Sequence, residues 1–284
     1  MSQTPPPPPL GRSPSPAIAG ADGVAPAILF TDGKAYERLM GRWSQVAGAK
    51  FLDWVAPPQG LHWIDVGCGN GAFTEVLIAR TAPRAITGID PSDGQISYAR
   101  ARPAAKLAQF RIADAHELPF AANSFDAASM ALVITFLSDP LKAAREMARV
   151  VKPGGVVASY MWDFPGGGFP IRPLGAAMKS LGLSEPPRPN VEASRRETME
   201  ALWGEAGLQA VETTVIRIRV AFVDFDDFWN SSTVPVGPSG KALSEMPPST
   251  REQLKARLRE QLPIAADGSI AYEAFANAVK GRVA

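Results

Sequence analysis

A glycine-rich turn between an apolar strand and a helix constrains this chain more than any other feature. The segment LHWIDVGCGNGAF, residues 61–73, opens with an apolar, β-branched run and then places Gly67, Gly69 and Gly71 at alternate positions. Glycine adopts backbone conformations that other residues avoid, so such a turn can approach a ligand closely. The helical pattern that follows directs its amide N–H groups and positive dipole end towards the same place. The segment therefore predicts half of a nucleotide-type cofactor site.

Strand and helix patterns alternate after this turn. Strands are predicted at 61–66, 85–89, 108–112, 126–132 and 155–162, and helices at 72–80, 93–102 and 139–150. Alternation of this kind indicates a mostly parallel sheet with helices on both faces and a ligand crevice at the carboxyl ends of its strands. The expected fold class is α/β, a Rossmann-like, doubly wound, seven-stranded sheet with helical lid insertions.

The flanking regions are less regular. Residues 1–26 are proline-rich and predicted to be a disordered tail, residues 27–60 a helical segment, and residues 61–284 the main domain, with a cofactor half at 61–163 and a lid and C-terminal sheet region at 164–284. Further helices are predicted at 174–181, 194–206, 225–232 and 249–262, and strands at 211–223 and within 269–279. Ser194 is expected to cap its helix, with Glu197 completing a capping box.

Composition excludes several classes of protein. The chain has 29 basic and 28 acidic residues, which argues against a nucleic-acid partner. Its single cysteine rules out a disulfide framework, and no spacing of metal ligands is present, so no metal is expected. No apolar run is long enough for an integral membrane segment. A soluble, cytoplasmic protein is the expectation; the oligomeric state stays open.

Three carboxylates follow successive predicted strands. Asp65 ends the first strand, Asp90 the second, and Asp114 comes directly after the third. A carboxylate at the end of the second strand can accept hydrogen bonds from vicinal ribose hydroxyls, and one after the third can accept from an adenine amino group. Asp126, a fourth acid, opens the strand that follows.

The motifs DVGCGNG, GIDPS, ADAHELPF, SFDAASMALVITFLSD and REMARVVKPGGVVASYMW resemble, in order and spacing, those of class I S-adenosyl-L-methionine-dependent methyltransferases, in particular the small-molecule branch called type 11. The resemblance covers about residues 36–162. It implies methyl transfer from S-adenosyl-L-methionine to a small-molecule acceptor, leaving S-adenosyl-L-homocysteine. The cofactor-binding residues that it implies are Tyr36, Arg42, Asp65, Gly67, Cys68, Gly69, Asn70, Asp90, Pro91, Asp114, Ala115, Met130, Ala131 and Leu132.

The catalytic residues are not identified by this resemblance. Thr135 and Phe136 stand where relatives carry a histidine pair, so a general base is unassigned, with Asp163, Tyr160 and His116 as candidates. Aromatic residues in the predicted lid favour an apolar or aromatic acceptor. Two alternatives remain: a non-catalytic protein of the same fold that binds S-adenosyl-L-methionine or S-adenosyl-L-homocysteine and acts in regulation, and, less favoured, an NAD-dependent dehydrogenase.

Overall fold

One seven-stranded sheet carries the fold in the computed structural model, which describes residues 41–102, 106–183, 190–235 and 237–284. The predicted tail at 1–26 and the candidate site residue Tyr36 lie outside the described residues, as does the side chain of Arg42. The strands are β1 (His62–Val66), β2 (Ala85–Asp90), β3 (Ala108–Ile112), β4 (Phe125–Ala131), β5 (Val151–Trp162), β6 (Gln209–Phe222) and β7 (Ile270–Arg282).

The order of the strands in the sheet is β3-β2-β1-β4-β5-β7-β6. Strands β1 to β5 are parallel, whereas β7 runs antiparallel to both β5 and β6. Chain order reverses at β1, which pairs with β2 on one side and β4 on the other. In an open α/β sheet such a switch point leaves a crevice outside the carboxyl ends of the strands. The predicted fold class is confirmed.

Helices lie close to the predicted positions, except that residues 237–244, expected as part of a loop, are helical. They are α1 (Arg42–Val55), α2 (Ala72–Thr81), α3 (Asp93–Ala101), α4 (Pro140–Val150), α5 (Arg172–Ser180), α6 (Arg196–Glu205), α7 (Phe225–Ser232), α8 (Gly237–Ser244) and α9 (Pro248–Gln261). Short 3-10 helices span Ile134–Phe136 and Val191–Ser194. Within the described parts of the chain, no helix has both the length and the apolarity needed to cross a membrane.

The predicted capping box at Ser194 is wrong. Ser194 closes the 3-10 helix, where its hydroxyl donates to the carbonyl of Val191 at 2.7 Å and accepts from the amide of Phe164 at 3.3 Å. Helix α6 begins two residues later, after Arg195, without a side-chain cap. The serine thus joins the segment after β5 to the segment before α6, a long-range contact that local spacing does not reveal.

Bulky aromatic side chains fill the core on both faces of the sheet. Trp63, Phe51 and Tyr160 are among the largest fully buried side chains, and Phe51 lies 4.7 Å from Tyr160 between ring centroids. Trp203 of α6 is also fully buried, and its indole N–H donates to the backbone oxygen of Val157 in β5 at 3.0 Å. This bond fixes α6 on the sheet, because a buried indole N–H without an acceptor is costly.

Trp203→Phe should lower the free energy of unfolding by roughly 1 to 3 kcal/mol, because it removes this buried hydrogen bond and part of the ring. Urea denaturation followed by circular dichroism measures the change. Trp54→Phe is the matched control, since Trp54 is only partly buried and makes a cation–π contact with Lys280 that a phenyl ring can keep, and it should cost less than about 1 kcal/mol. Equal costs for the two variants would contradict the role given to the Trp203 bond.

Candidate cofactor site

The glycine turn after β1 has left-handed backbone at each of its three glycines. The φ angles are +72° at Gly67, +52° at Gly69 and +81° at Gly71. A Cβ placed on Gly67 would lie 2.5 Å from a methyl carbon of Val133, so this position has no room for a side chain. A Cβ on Gly69 would have no heavy atom of the described residues within 4 Å. The backbone at Gly69 therefore borders open space that a ligand can occupy.

Asp90, the last residue of β2, is bonded to this turn. Its Oδ2 accepts from the amide of Gly69 at 3.0 Å, and its Oδ1 accepts from the amide of Ser92 at 2.9 Å. Ser92 in turn caps α3 by accepting from the amide of Gln95. Burial raises the pKa of Asp90, and the two backbone donors oppose that rise. Each carboxylate oxygen keeps capacity for a further donor, as a bond to a diol requires.

Asp65 lies beneath the turn and is fully buried. Its Oδ2 accepts from the hydroxyl of Thr74 in α2 at 2.7 Å, and its Oδ1 accepts from the hydroxyl of Ser129 in β4 at 3.5 Å. Burial raises the pKa of Asp65 to about 7, the two hydroxyls lower it, and the charge of Asp90 raises it. Asp65 therefore joins β1, α2 and β4 and is close to half protonated at neutral pH.

Asn70 and Cys68 shape the turn from within. The side-chain oxygen of Asn70 accepts from the amide of Ala72 at 3.1 Å at the start of α2. The thiol of Cys68 is buried in a small cluster with Ile96, Ala99 and Phe110, and burial raises its pKa further above the usual range. The thiol also lies 3.8 Å from the carbonyl oxygen of Gly69, and its burial fits a packing role and not that of a nucleophile.

Asp114 lies on the loop after β3 and is tied to His116. Its Oδ1 accepts from the amide of His116 at 2.8 Å and lies 2.6 Å from the ring Nδ1. Burial raises the pKa of Asp114, but these hydrogen bonds and the nearby charges outweigh it, so the pKa is lowered overall. Ala115, the next residue, is buried. The amide of Ala113 donates to the Asp90 carbonyl at 3.3 Å, which brings this loop beside the end of β2.

The end of β4 supplies the other wall of the crevice. Met130 is buried, Ala131 is half-buried, and Leu132 has a φ of +61°, a conformation that a leucine rarely adopts. The amide of Leu132 donates to the carbonyl of Tyr160 at 2.9 Å, which holds the strained residue against β5. Backbone strain of this kind costs about 1 to 3 kcal/mol and is concentrated at functional sites.

The structure brings most of the predicted residues to one edge. Asp65, Gly67, Gly69 and Asp90 meet through the contacts above, and Pro91 sits between Asp90 and the Ser92 cap. Asp126, by contrast, lies at the opposite end of β4, where Arg84 and Lys152 each pair with it at 2.7 Å. It supports the fold, away from the crevice.

Each candidate general base is already engaged. His116 Nε2 accepts from the amide of Asp139 at 3.2 Å while Nδ1 faces Asp114. The Tyr160 hydroxyl is buried and donates to the carbonyl of Ser44 at 3.4 Å. Asp163 accepts from the amide of Gly166 at 2.7 Å in a turn. All three have structural partners, which favours chemistry that does not depend on a strong base.

Sequence reasoning missed the residues that support this site. Thr74 and Ser129 hold Asp65, and Val133 packs over Gly67. Ser129 and Val133 lie within the motif of residues 124–139, but the motif does not indicate these contacts. These contacts join residues on different elements, so they follow from the strand order and not from local spacing. The left-handed backbone at Leu132 carries no signal in the sequence either, because leucine does not favour it.

The fold and this edge are those of an α/β protein with a crevice at the switch point of a parallel sheet, the place where proteins of this architecture bind ligands. A family model described as a methyltransferase domain matches residues 64–159. This match covers about a third of the chain and agrees with the resemblance of the motifs to class I S-adenosyl-L-methionine-dependent methyltransferases. S-adenosyl-L-methionine, the cofactor expected from that resemblance, is the cofactor of such methyltransferases.

Individual relatives give the same family. An O-methyltransferase, cnsE of Penicillium expansum, is 31% identical over 172 residues, which cover 58% of this chain and 58% of that protein. A demethylmenaquinone methyltransferase of Desulfitobacterium hafniense is 35% identical over 115 residues, covering 39% of this chain and 46% of that protein. The chain thus spans about half the length of these curated relatives.

A solved structure agrees on the fold alone. The YcgJ protein of Bacillus subtilis superposes with a TM-score of 0.56 at 17% identity, over 83% of this chain and 97% of that one. At this identity the match concerns the arrangement of strands and helices and carries no statement about substrate.

The pH dependence of stability should reveal the buried carboxyl of Asp65. Its folded pKa of about 7 exceeds the unfolded value of 3.8, so the folded state binds the proton more tightly. Its contribution to stability is fully present below pH 3.8 and is lost as the pH rises through about 7, by roughly 4 kcal/mol in total.

Asp65→Asn should remove this dependence, so that the variant gains stability relative to the parent between pH 5 and 8, by roughly 1 to 3 kcal/mol. Urea denaturation at several pH values measures the difference. Asp53→Asn is the control, because Asp53 is an exposed partner of Arg80. Parallel curves for Asp65→Asn and the parent would contradict the raised pKa.

Proposed function

We propose that this protein transfers a methyl group from S-adenosyl-L-methionine to a small, apolar or aromatic acceptor. The observation that carries the proposal is the carboxylate of Asp90, fixed by the amides of Gly69 and Ser92 beside open space at the glycine turn. A fixed anion with spare acceptor capacity, next to a turn that admits a ligand, suits the ribose of the cofactor.

The remaining positions follow from that placement. Asp90, flanked by Pro91, would hold the ribose hydroxyls, and Asp114 with Ala115 would meet the adenine. The turn at Gly67, Cys68, Gly69 and Asn70 would pass along the methionine part, with Asp65 beneath it. Met130, Ala131 and Leu132 would separate the cofactor from the acceptor. Tyr36 and Arg42 would close over the methionine end, as the resemblance implies.

Methyl transfer from this cofactor requires little of the protein beyond alignment of the cofactor and the acceptor. The cofactor supplies a methyl carbon already activated by its sulfonium, so in-line placement of the acceptor and exclusion of water can lower the barrier by roughly 7 to 11 kcal/mol. Since His116, Tyr160 and Asp163 each have structural partners, the acceptors that fit best are those whose nucleophilic atom ionises readily. Phenols, enols and carboxylic acids meet that condition.

The walls after β5 support an apolar acceptor. Phe164 and Phe169 lie 4.9 Å apart between ring centroids, and both are partly buried against the core. The aromatic side chains of α7 contribute less than the sequence suggests, because Phe225 and Trp229 are buried beneath cations of α9. Demethylmenaquinone, the substrate named for one relative, is an aromatic acceptor of the kind expected.

Incubation of the purified chain with methyl-labelled S-adenosyl-L-methionine and a fractionated extract of its source cells tests the proposal. Label in an organic-soluble fraction supports it and gives a mass for the product. Tight cofactor binding without label in any fraction would support the non-catalytic alternative. Binding of NADH, with no competition by S-adenosyl-L-homocysteine, would support the dehydrogenase, which the family assignment disfavours.

Asp90→Ala should weaken binding of S-adenosyl-L-homocysteine by roughly 10- to 100-fold, because it removes charge-assisted hydrogen bonds of about 1.5 to 3 kcal/mol. Isothermal titration calorimetry measures the affinity, and thermal melting checks that the variant is folded. Glu273→Gln is the control, since this exposed residue pairs with Arg217 far along β7 and should leave affinity unchanged. If folded Asp90→Ala bound S-adenosyl-L-homocysteine with unchanged affinity, the proposed ribose site would be wrong.

Two buried threonines differ in whether their hydroxyls have a hydrogen-bond partner, and this difference allows a test of the acceptor side. Thr135, in the 3-10 helix after β4, is fully buried, and its hydroxyl has no partner in the described part of the structure. Thr81 is also buried, but its hydroxyl donates to the carbonyl of Leu77 at 2.8 Å. An unpaired hydroxyl is costly in the folded state, whereas a paired one contributes to stability.

Thr135→Val should therefore leave the free energy of unfolding unchanged or raise it, while Thr81→Val should lower it by about 1 kcal/mol. If the Thr135 hydroxyl serves the acceptor, Thr135→Val should also lower kcat/KM by roughly 10-fold with unchanged affinity for S-adenosyl-L-homocysteine. Denaturation curves and initial rates measure these effects. A loss of stability in Thr135→Val would show that the hydroxyl is paired in solution.

A further inference from the structure

A groove opens on one face of the sheet, at the end away from the glycine turn. Its volume is about 500 Å³, within the range of small-molecule sites. The face is open because residues 113–124, between β3 and β4, form a loop and not a helix. The floor consists of side chains that the strand register places on one face of β1, β2 and β3, namely His62, Ala85, Thr87, Gln109 and Arg111.

Among the residues that the structure describes, the charged side chains that line this groove are all basic. They are Arg84, Lys106 and Arg111. Arg84 pairs with Asp126 at 2.7 Å, whereas Lys106 and Arg111 are exposed and make no ion pair with any residue that the structure describes. The groove therefore carries uncompensated positive charge, although the chain as a whole is close to neutral.

Aromatic rings form the adjoining wall. The guanidinium carbon of Arg111 lies 5.7 Å from the centroid of the half-buried Phe120 ring. Phe120 meets Phe125 edge to face at 5.0 Å, and Phe125 lies 4.7 Å from the ring of His62. Leu107, at the rim, is 58% exposed, so its side chain is accessible to a ligand in the groove. An apolar wall thus stands next to unpaired cations.

We propose that this groove binds a small organic anion that carries an aromatic ring. The ring packs against Phe120 and Leu107, and its carboxylate or phosphate pairs with Arg111 and Lys106. The site is separate from the crevice of the proposed function, because none of the residues that line it belongs to the glycine turn or to the acids at the carboxyl ends of β1 to β3. It does not depend on the proposed function.

The chain has two histidines, and their ring resonances can report ligand binding at the two ends of the sheet. His62 lies in the groove, and its pKa is lowered by burial first and then by the charges of Arg84 and Lys152, against the opposing charge of Asp126. An anion bound beside His62 raises its pKa and shifts its ring resonances. His116 lies with Asp114 at the carboxyl edge, so its resonances report a ligand that binds there instead.

The test uses the full chain and 2-naphthoate, followed by calorimetry and by proton NMR of the histidine rings, assigned with His116→Gln. The expected result is a shift of the His62 resonances alone. Neutral 2-naphthamide and inorganic phosphate should each bind at least about 10-fold more weakly, because each lacks either the charge or the ring. Arg111→Gln combined with Lys106→Gln should weaken 2-naphthoate binding by about 10- to 100-fold.

Arg257→Gln is the matched control, because it removes an exposed cation of α9 that pairs with Glu260. The proposal is overturned if 2-naphthoate does not bind, or if it shifts His116 and not His62. If 2-naphthamide bound as tightly as 2-naphthoate, the negative charge would not contribute to recognition. If phosphate bound as tightly, the aromatic ring would not contribute. An equal loss in Arg257→Gln and in the double variant would show a general effect of net charge.

Discussion

The bond between the Asp90 carboxylate and the amide of Gly69 holds the cofactor edge together. It ties the end of β2 to the turn after β1, while the second oxygen of Asp90 fixes the start of α3 through Ser92. The backbone carbonyl of Asp90 accepts from Ala113, on the loop after β3. One residue thus connects the ends of three neighbouring strands. The Asp90 carboxylate, which would position a bound diol, is thus also the group that orders the backbone around the site.

This edge is built at a cost to stability. Burial raises the pKa of Asp65 and the charge of Asp90 adds a smaller rise, while Leu132 on the opposite wall holds a left-handed backbone. Buried like charges and backbone strain each cost of the order of 1 to 3 kcal/mol. A cationic ligand at the glycine turn would offset the charge term, because a positive group stabilises both ionised carboxylates. The arrangement favours a ligand with positive charge over a neutral one.

The sequence predicted the cofactor half of the fold closely because its determinants are local. Apolar runs, glycines and terminal acids occur at fixed spacing, and β1 to β5 with their helices lie within a few residues of the expected positions. The support of the site was not predictable in this way. Ser129 meets Asp65 across 64 positions, and Ser194 joins the segment after β5 instead of capping a helix. Such contacts depend on strand order, which local patterns do not encode.

Because the antiparallel strand β7 follows β6 in the sequence, it affects how the chain folds during its synthesis. In the sheet, β6 is an edge strand whose only strand neighbour is β7, and β7 also joins it to β5. Residues 209–222 therefore leave the ribosome well before residues 270–282, which pair with them. At roughly 5 to 20 residues per second, the 60 residues between the ends of the two strands take about 3 to 12 s. For that time the backbone edge of β6 that pairs with β7 has no partner strand, which leaves it open to pairing with other chains.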